Sequence, residues 1–386
     1  MSWPFGRRLV ASARRGTGAP IDPHGQRLIG LTLERGEPIF APKGSSLLLG
    51  AAGSNKTTCG PMPWLYSYAA SNTGTSVLAI DSKNGELARQ SADMIADLGI
   101  PVAVVDDLNT WPECRHRIKL NPFDAATSGY ARVPEELIYA LDKITHALIE
   151  EPADGDSRNR YFRAWPRLMI EFAVSVLLSR NPRLATPGGV AALLGDPDLL
   201  KKLATIEAEE GDASLRSLAQ ALLGMVGHEH WFQHLEAAQS ALRQFRPGTI
   251  LQDAGRGSTL GHADLIRQGY FIFLIGPQAY IQELGPYYAL HLMGFLQAIY
   301  GGAGKLRVSC QSHVPCLRRR GSNAAPNLSK SPGLVSVASS RWTNRSKRCL
   351  PEFWKRRTRR SSAAMRQRWP SSNGRSLSWQ NRWPNR

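Results

Sequence analysis

A chain of 386 residues with 42% hydrophobic content can fill one large or two ordinary domains around a buried core. The formal charge of +17 would point to an anionic partner, but residues 306–386 hold 16 Arg and 3 Lys against the single acid Glu352, which leaves the first 305 residues at −1. Of the cysteines, Cys59 and Cys114 lie in the body and Cys310, Cys316 and Cys349 in the tail, which argues against a disulfide framework, and no apolar run approaches the roughly 18 residues of a membrane span.

In chain order, residues 1–35 form a basic N-terminal segment in which Arg7, Arg8, Arg14 and Arg15 precede the first acid, Asp22. It reads as a frayed terminus, with a membrane-surface contact as the alternative. Residues 36–130 alternate strand and helix signals, as in a parallel sheet covered by helices. SSLLLG (45–50), SVLAID (76–81) and PVAVVDD (101–107) read as strands; between the last two, Leu87, Met94, Ile95 and Leu98 share a helical face that ends at Gly99.

From 131 to 248 helical spacing takes over. Leu137, Leu141, Ile144 and Leu148 mark one helix, and Phe162, Trp165, Met169, Phe172 and Val176 mark a second whose aromatic stripe reads as core. Further helices fit 197–208 and 213–225, so this part reads as an all-α insertion. The α/β pattern resumes over 249–305 with the buried-type strand GYFIFLIG (269–276) and a long helix over 280–302. Another strand should follow. Residues 306–386 hold no sustained period, with 15 Ser and 5 Trp among 81 residues, and read as a disordered basic tail. Such a composition is what a GC-rich gene gives when read out of frame, here from near Lys305, and it would leave the sheet one strand short.

The chemistry-bearing stretch is LLLGAAGSNKTT (47–58). A phosphate loop turns consecutive backbone N–H groups toward the anion, a lysine reaches the β- and γ-phosphates, and a Ser/Thr hydroxyl binds magnesium at the start of a helix. Gly50, Gly53, Lys56 and Thr57 stand at the required offsets, and Ala51, Ala52, Ser54, Asn55 and Thr58 complete the candidate nucleotide site. Asn55 replaces the usual last glycine; Asn enters the left-handed region more readily than other non-glycine residues, so the loop is tolerated on backbone grounds. Pro61 and Pro63 should kink the following helix. Hydrolysis needs an acid at a strand end to hold the metal and a second to position water. Asp81, Asp106 and Asp107 end strands and are the candidates by pattern.

These stretches, followed in order by DSKNGE (81–86), PVAVVDDLN and KLNPFD (119–124), resemble the TraG-like coupling ATPases of type IV secretion and bacterial conjugation. The resemblance runs from about Gly36 to Gly304. Ser82 stands where that family has proline, and Asn84 is inserted before Gly85. It implies an α/β P-loop NTPase sheet interrupted by an all-α domain, ATP and magnesium as cofactors, DNA and a relaxase as partners, type IV secretion channel components, and a homo-oligomer, hexameric in intact relatives. It further implies a cytoplasmic location at the inner membrane face. In that arrangement the hydrolytic acids follow the helix ending near Tyr300, where this chain reads RVSCQ, so the expectation is a truncated copy that binds nucleotide through Lys56 and Thr57 and does not hydrolyse it. The alternatives are an active ATPase using Asp106 or Asp107, and a nucleic-acid binder acting through the Arg/Trp tail.

Two metal-like patterns stand apart. His228, His230 and His234 lack the glutamate of a hydrolase motif and read as surface histidines; Cys310, His313 and Cys316 have ligand-like spacing without a fourth partner.

Overall fold

The structure is a computed structural model and describes residues 28–31, 34, 37–41, 48, 56–132, 136–151 and 160–311. The loop residues Gly50, Ala51, Ala52, Gly53, Ser54 and Asn55 lie outside the described residues, as do His313, Cys316 and the Arg/Trp tail beyond 311.

The first elements among the described residues are an antiparallel pair, β1 (Leu28–Leu31) and β2 (Pro38–Phe40), whose Leu28 is buried. The pair starts inside the segment expected to be a frayed terminus. The reason is a short apolar run, LIGL, that gains a pairing partner across a turn.

The main sheet is parallel. Its strands are β3 (Ser76–Asp81), β4 (Val102–Val105), β5 (Arg117–Ile118), β6 (Phe271–Ile275) and β7 (Leu306–Gln311), in the order β5-β4-β6-β3-β7. β3, β4 and β6 are buried on both faces, which is why they read as continuous apolar runs. The strand expected to be lost after Lys305 is present: β7 pairs with β3 along its whole length, from Ser76↔Leu306 to Asp81↔Gln311. Its sequence, LRVSCQ, alternates apolar and polar residues. That period-two signal is only six residues long and is hidden by the composition that follows it.

Helices cover both faces. On one lie α1 (Lys56–Cys59), α2 (Pro61–Ser71) and α3 (Glu86–Asp97), which pack Leu65, Leu87 and Ile95 against Val77, Val104 and Phe273. The alternate strand residues, among them Leu78, Val105 and Leu274, face the other layer. That layer contains α4 (Asp124–Arg132), α5 (Leu137–Leu148), α6 (Arg160–Arg180), α7 (Pro187–Leu194), α8 (Pro197–Glu210), α9 (Ala213–Met225), α10 (Trp231–Ala241), α11 (His262–Arg267) and α12 (Gly285–Tyr300). The α/β class is therefore as expected, with a parallel sheet interrupted between β5 and β6 by a segment whose regular elements are all helical among the described residues.

The β3–α3–β4 and β6–α12–β7 crossovers move along the sheet in opposite directions on opposite faces, so they share one hand, as right-handed crossovers must. Sequence punctuation sets several boundaries. Thr186, Asp196 and Asp212 accept the backbone N–H of Gly189, Leu199 and Leu215, capping α7, α8 and α9. α12 starts five residues later than its apolar pattern, because residues 278–280 form a 3-10 turn and Pro286 sits in the first helical turn. No helix among the described residues is long and apolar enough to cross a membrane.

Candidate functional site

Lys56 and Thr57 open α1, with Thr57 buried and Thr58 in the same turn. The helix is interrupted at Gly60 and resumes as α2 with Pro61 in its first turn, while the N–H of Gly60 donates to the Lys56 carbonyl at 2.9 Å and that of Trp64 to the Gly60 carbonyl at 3.1 Å. The expected kink therefore falls at Gly60, just before Pro61, with these two hydrogen bonds bridging it. Gly60 also allows a close approach, since a Cβ there would come within 2.5 Å of Leu48 Cδ2. The apolar run before the loop therefore touches the helix after it.

α2 ends just before β3 begins and packs on the same layer, so it runs antiparallel to the strands. Its start, and with it Lys56 and Thr57, lies toward the edge where β3, β4, β6 and β7 end. Open parallel sheets bind ligands at that edge. Tyr68 of α2 holds the Arg307 guanidinium of β7 over its ring, 4.4 Å from the centroid.

The three candidate acids are all committed to backbone turns or buried pairs. Asp81 Oδ2 accepts the N–H of Leu87 at 2.7 Å and of Ala88 at 3.2 Å, and Oδ1 that of Lys83 at 3.1 Å, so it satisfies the start of α3. Burial nevertheless raises its carboxyl above the ordinary range, against those hydrogen bonds. In the turn between, Asn84 and Gly85 adopt φ of 56° and 69°. The inserted asparagine is one of the few residues suited to that conformation, and its side chain accepts the N–H of Gln278 at 3.3 Å.

Asp106 accepts the N–H groups of Thr110 and Trp111 at 2.8 and 2.7 Å. Asp107 pairs with Lys119 Nζ at 2.9 Å and accepts the Tyr287 hydroxyl at 3.0 Å. Its carboxyl is raised by burial, which outweighs Lys119. At the end of β7, where the resemblance requires a metal-binding acid, the register places Gln311 beside Asp81.

The histidine reading needs correction. His228 is exposed, but His234 is 1% exposed and sits among the rings of Tyr161, Phe162 and Trp165, so it is a core residue and not a surface one. Phe162, expected in the core, is 44% exposed, with its ring against those of His230 and His234. No group of three or more His, Cys, Asp or Glu suited to a metal occurs among the described residues. Sequence inspection missed Lys119 and Tyr287 as partners of Asp107. Only the helical spacing of Tyr287 and His291, one turn apart in an apolar helix, signalled a polar stripe there.

No family model matches the chain, and no curated protein matches it in sequence. Among solved structures it is similar in part to the bacterial conjugative coupling protein TrwBdeltaN70 in an unbound monoclinic form, at 11% identity and a TM-score of 0.34, over 61% of this chain and 54% of that one. It is likewise similar to the plasmid coupling protein TrwB in complex with ADP and Mg2+, at 11% identity and a TM-score of 0.32, over 61% of this chain and 63% of that one. The chain thus spans less than two thirds of either structure.

Proposed function

We propose that this chain binds ATP with magnesium at the strand ends of its sheet and does not hydrolyse it, as a reduced copy of a DNA-transfer coupling ATPase. The observation that carries this reading is the placement of Lys56 and Thr57 at the start of a helix whose Gly60 rests on Leu48, at the edge where the parallel strands end. Lys56 would neutralise phosphate and the Thr57 hydroxyl would hold magnesium, with the backbone N–H groups of Gly53, Ser54, Asn55 and Lys56 as the cradle. Magnesium would supply charge neutralisation when bound. Lack of turnover follows from Asp81, Asp106 and Asp107 being held by backbone and side-chain donors, and from a glutamine ending β7. DNA and relaxase delivery, a secretion channel at the inner membrane and hexamer formation belong to the same proposal by motif resemblance.

Calorimetric titration with ATP and magnesium tests it. Binding should be measurable and fall by about ten- to a hundredfold in Lys56→Ala, the loss of one charge-assisted contact, with ATP turnover at background in both proteins. A folded chain that binds no nucleotide overturns the binding half. Steady turnover that Lys56→Ala abolishes overturns the second half, and its loss in Asp107→Asn would favour the active-ATPase alternative.

A further inference from the structure

A buried polar line at the neck of the helical insertion plays no part in the nucleotide reading. Asp124, the first residue of α4, and His262, the first of α11, bracket the inserted helices. Asp124 Oδ2 accepts the backbone N–H of His262 at 2.8 Å and lies 3.2 Å from His262 Nδ1. The other ring nitrogen, His262 Nε2, is 3.1 Å from His291 Nδ1 on α12. The two rings are 1% and 0% exposed.

The sequence is shaped around this line. A Cβ at Gly261 would lie 2.8 Å from the Asp124 carboxylate, and one at Gly294 would lie 2.7 Å from the His262 ring. Both glycines are therefore needed for the approach. Phe295 closes on His262 edge-on at 4.5 Å, and Tyr287 closes on His291 at 4.8 Å.

Proton counting shows what the arrangement tolerates. With both rings neutral, His262 donates Nδ1–H to Asp124 and accepts Nδ1–H from His291, while His291 Nε2 is left buried with no partner. One added proton can be shared, because the His262 imidazolium faces the Asp124 carboxylate. A second would set two N–H groups against each other across 3.1 Å and leave one charge without a counter-ion. The other groups facing the line among the described residues carry no free carboxylate for a second charge. Tyr287 is a hydroxyl bound to Asp107, Asp107 is paired with Lys119, and Asp264 of α11 is turned to the Gly261 N–H and to Arg267.

We propose that Asp124, His262 and His291 form an acid-released latch that clamps the two ends of the helical insertion against α12, closed near neutral pH and opened when both imidazoles are protonated. The sign follows from linkage. The opened state takes up to two protons below the ordinary histidine pKa of about 6.5 and the closed state at most one, so closure is lost as pH falls, by about tenfold per pH unit for each proton bound only in the opened state. Burial and the neighbouring His262 hold the His291 pKa well below its ordinary value, in the same direction.

Hydrogen exchange of the full chain between pH 7.5 and 5.0, corrected for the intrinsic pH dependence, tests the latch independently of nucleotide. Protection over Asp124–Arg132 and His262–Arg267 should fall by about tenfold per pH unit below about pH 6.5, while Glu86–Asp97 on the opposite face keeps its own. In His291→Phe the fall should shrink to less than about threefold over the whole range, since the remaining imidazole faces Asp124. His291→Gln serves the same purpose where phenylalanine overpacks. Unchanged protection in the unmodified chain, or a full pH response in the folded His291 variants, overturns the proposal; so does a response that His234→Phe removes.

Discussion

The two faces of the sheet are built differently. On the face covered by α2 and α3, Val77, Val104 and Phe273 meet Leu65, Leu87 and Ile95, and the buried polar groups Ser91 and Asp81 find backbone partners within α3, the Ser91 hydroxyl donating to the Leu87 carbonyl and Asp81 accepting the Leu87 N–H. The opposite face is larger and is threaded by the polar line from Asp107 through Tyr287, His291 and His262 to Asp124. The first face closes within short crossovers, so its buried polar groups find partners a few residues away. The second must gather the beginning and end of a long insertion, where turns such as KLNPFD leave backbone groups needing partners. Asn121 answers one of these by accepting the Phe123 N–H and donating to the Ala185 carbonyl.

Substitutions can break that contrast. The largest effect is expected from Phe273→Ala on the apolar face, a fully buried ring whose truncation should cost about 3–5 kcal/mol. Denaturant midpoints should report this loss equally at pH 6 and pH 8, because the truncated ring packs against apolar neighbours; a loss below about 1 kcal/mol would show the face to be loosely packed.

Tyr287→Phe on the polar face should cost less, about 1.5–3 kcal/mol at neutral pH, since the hydroxyl donates to a carboxylate. This loss carries a pH signature. Asp107 is held above its ordinary pKa, so its neutral form is the favoured one in the fold; the stability that goes with it is present below pH about 3.8 and declines as pH rises through the raised value. Removing the Tyr287 donor raises that pKa further. The deficit should therefore grow as Asp107 ionises and shrink toward acid, and thermal melts across pH 4 to 8 would reveal a flat deficit if the carboxylate were not involved.

The smallest effect is expected away from the sheet. Asp212→Ala removes the cap on α9 and should lower stability by about 1 kcal/mol. Calorimetric unfolding would show whether the inserted helices unfold with the sheet or before it.

Much of the fold was legible because burial on both faces leaves unbroken apolar strands, and one-sided burial leaves a helical period. SVLAID matches β3 residue for residue, and Leu137, Leu141, Ile144 and Leu148 are all buried along α5. β7 carried a legible signal too, in the alternation of Leu306, Val308 and Cys310 with Arg307, Ser309 and Gln311, but the Arg- and Ser-rich residues beyond it hid so short a period. Of the candidate site, the spacing expected Lys56 and Thr57 at a helix start, and α1 begins there. The roles of the acids were not legible, because Asp81, Asp106 and Asp107 all look alike as residues that end an apolar strand.

By itself the sequence determined the class of fold and the helices that start at Pro197 and Ala213, since hydrophobic period and the caps Asp196 and Asp212 act over a few residues. Tertiary structure alone decided the distant polar pairs. Asp107 is 180 residues from Tyr287, Asp124 is 138 from His262, and His262 is 29 from His291. No local period records such pairings. They arise because the chain leaves the sheet after β5, returns at β6, and must satisfy at that junction the polar groups its own turns bury.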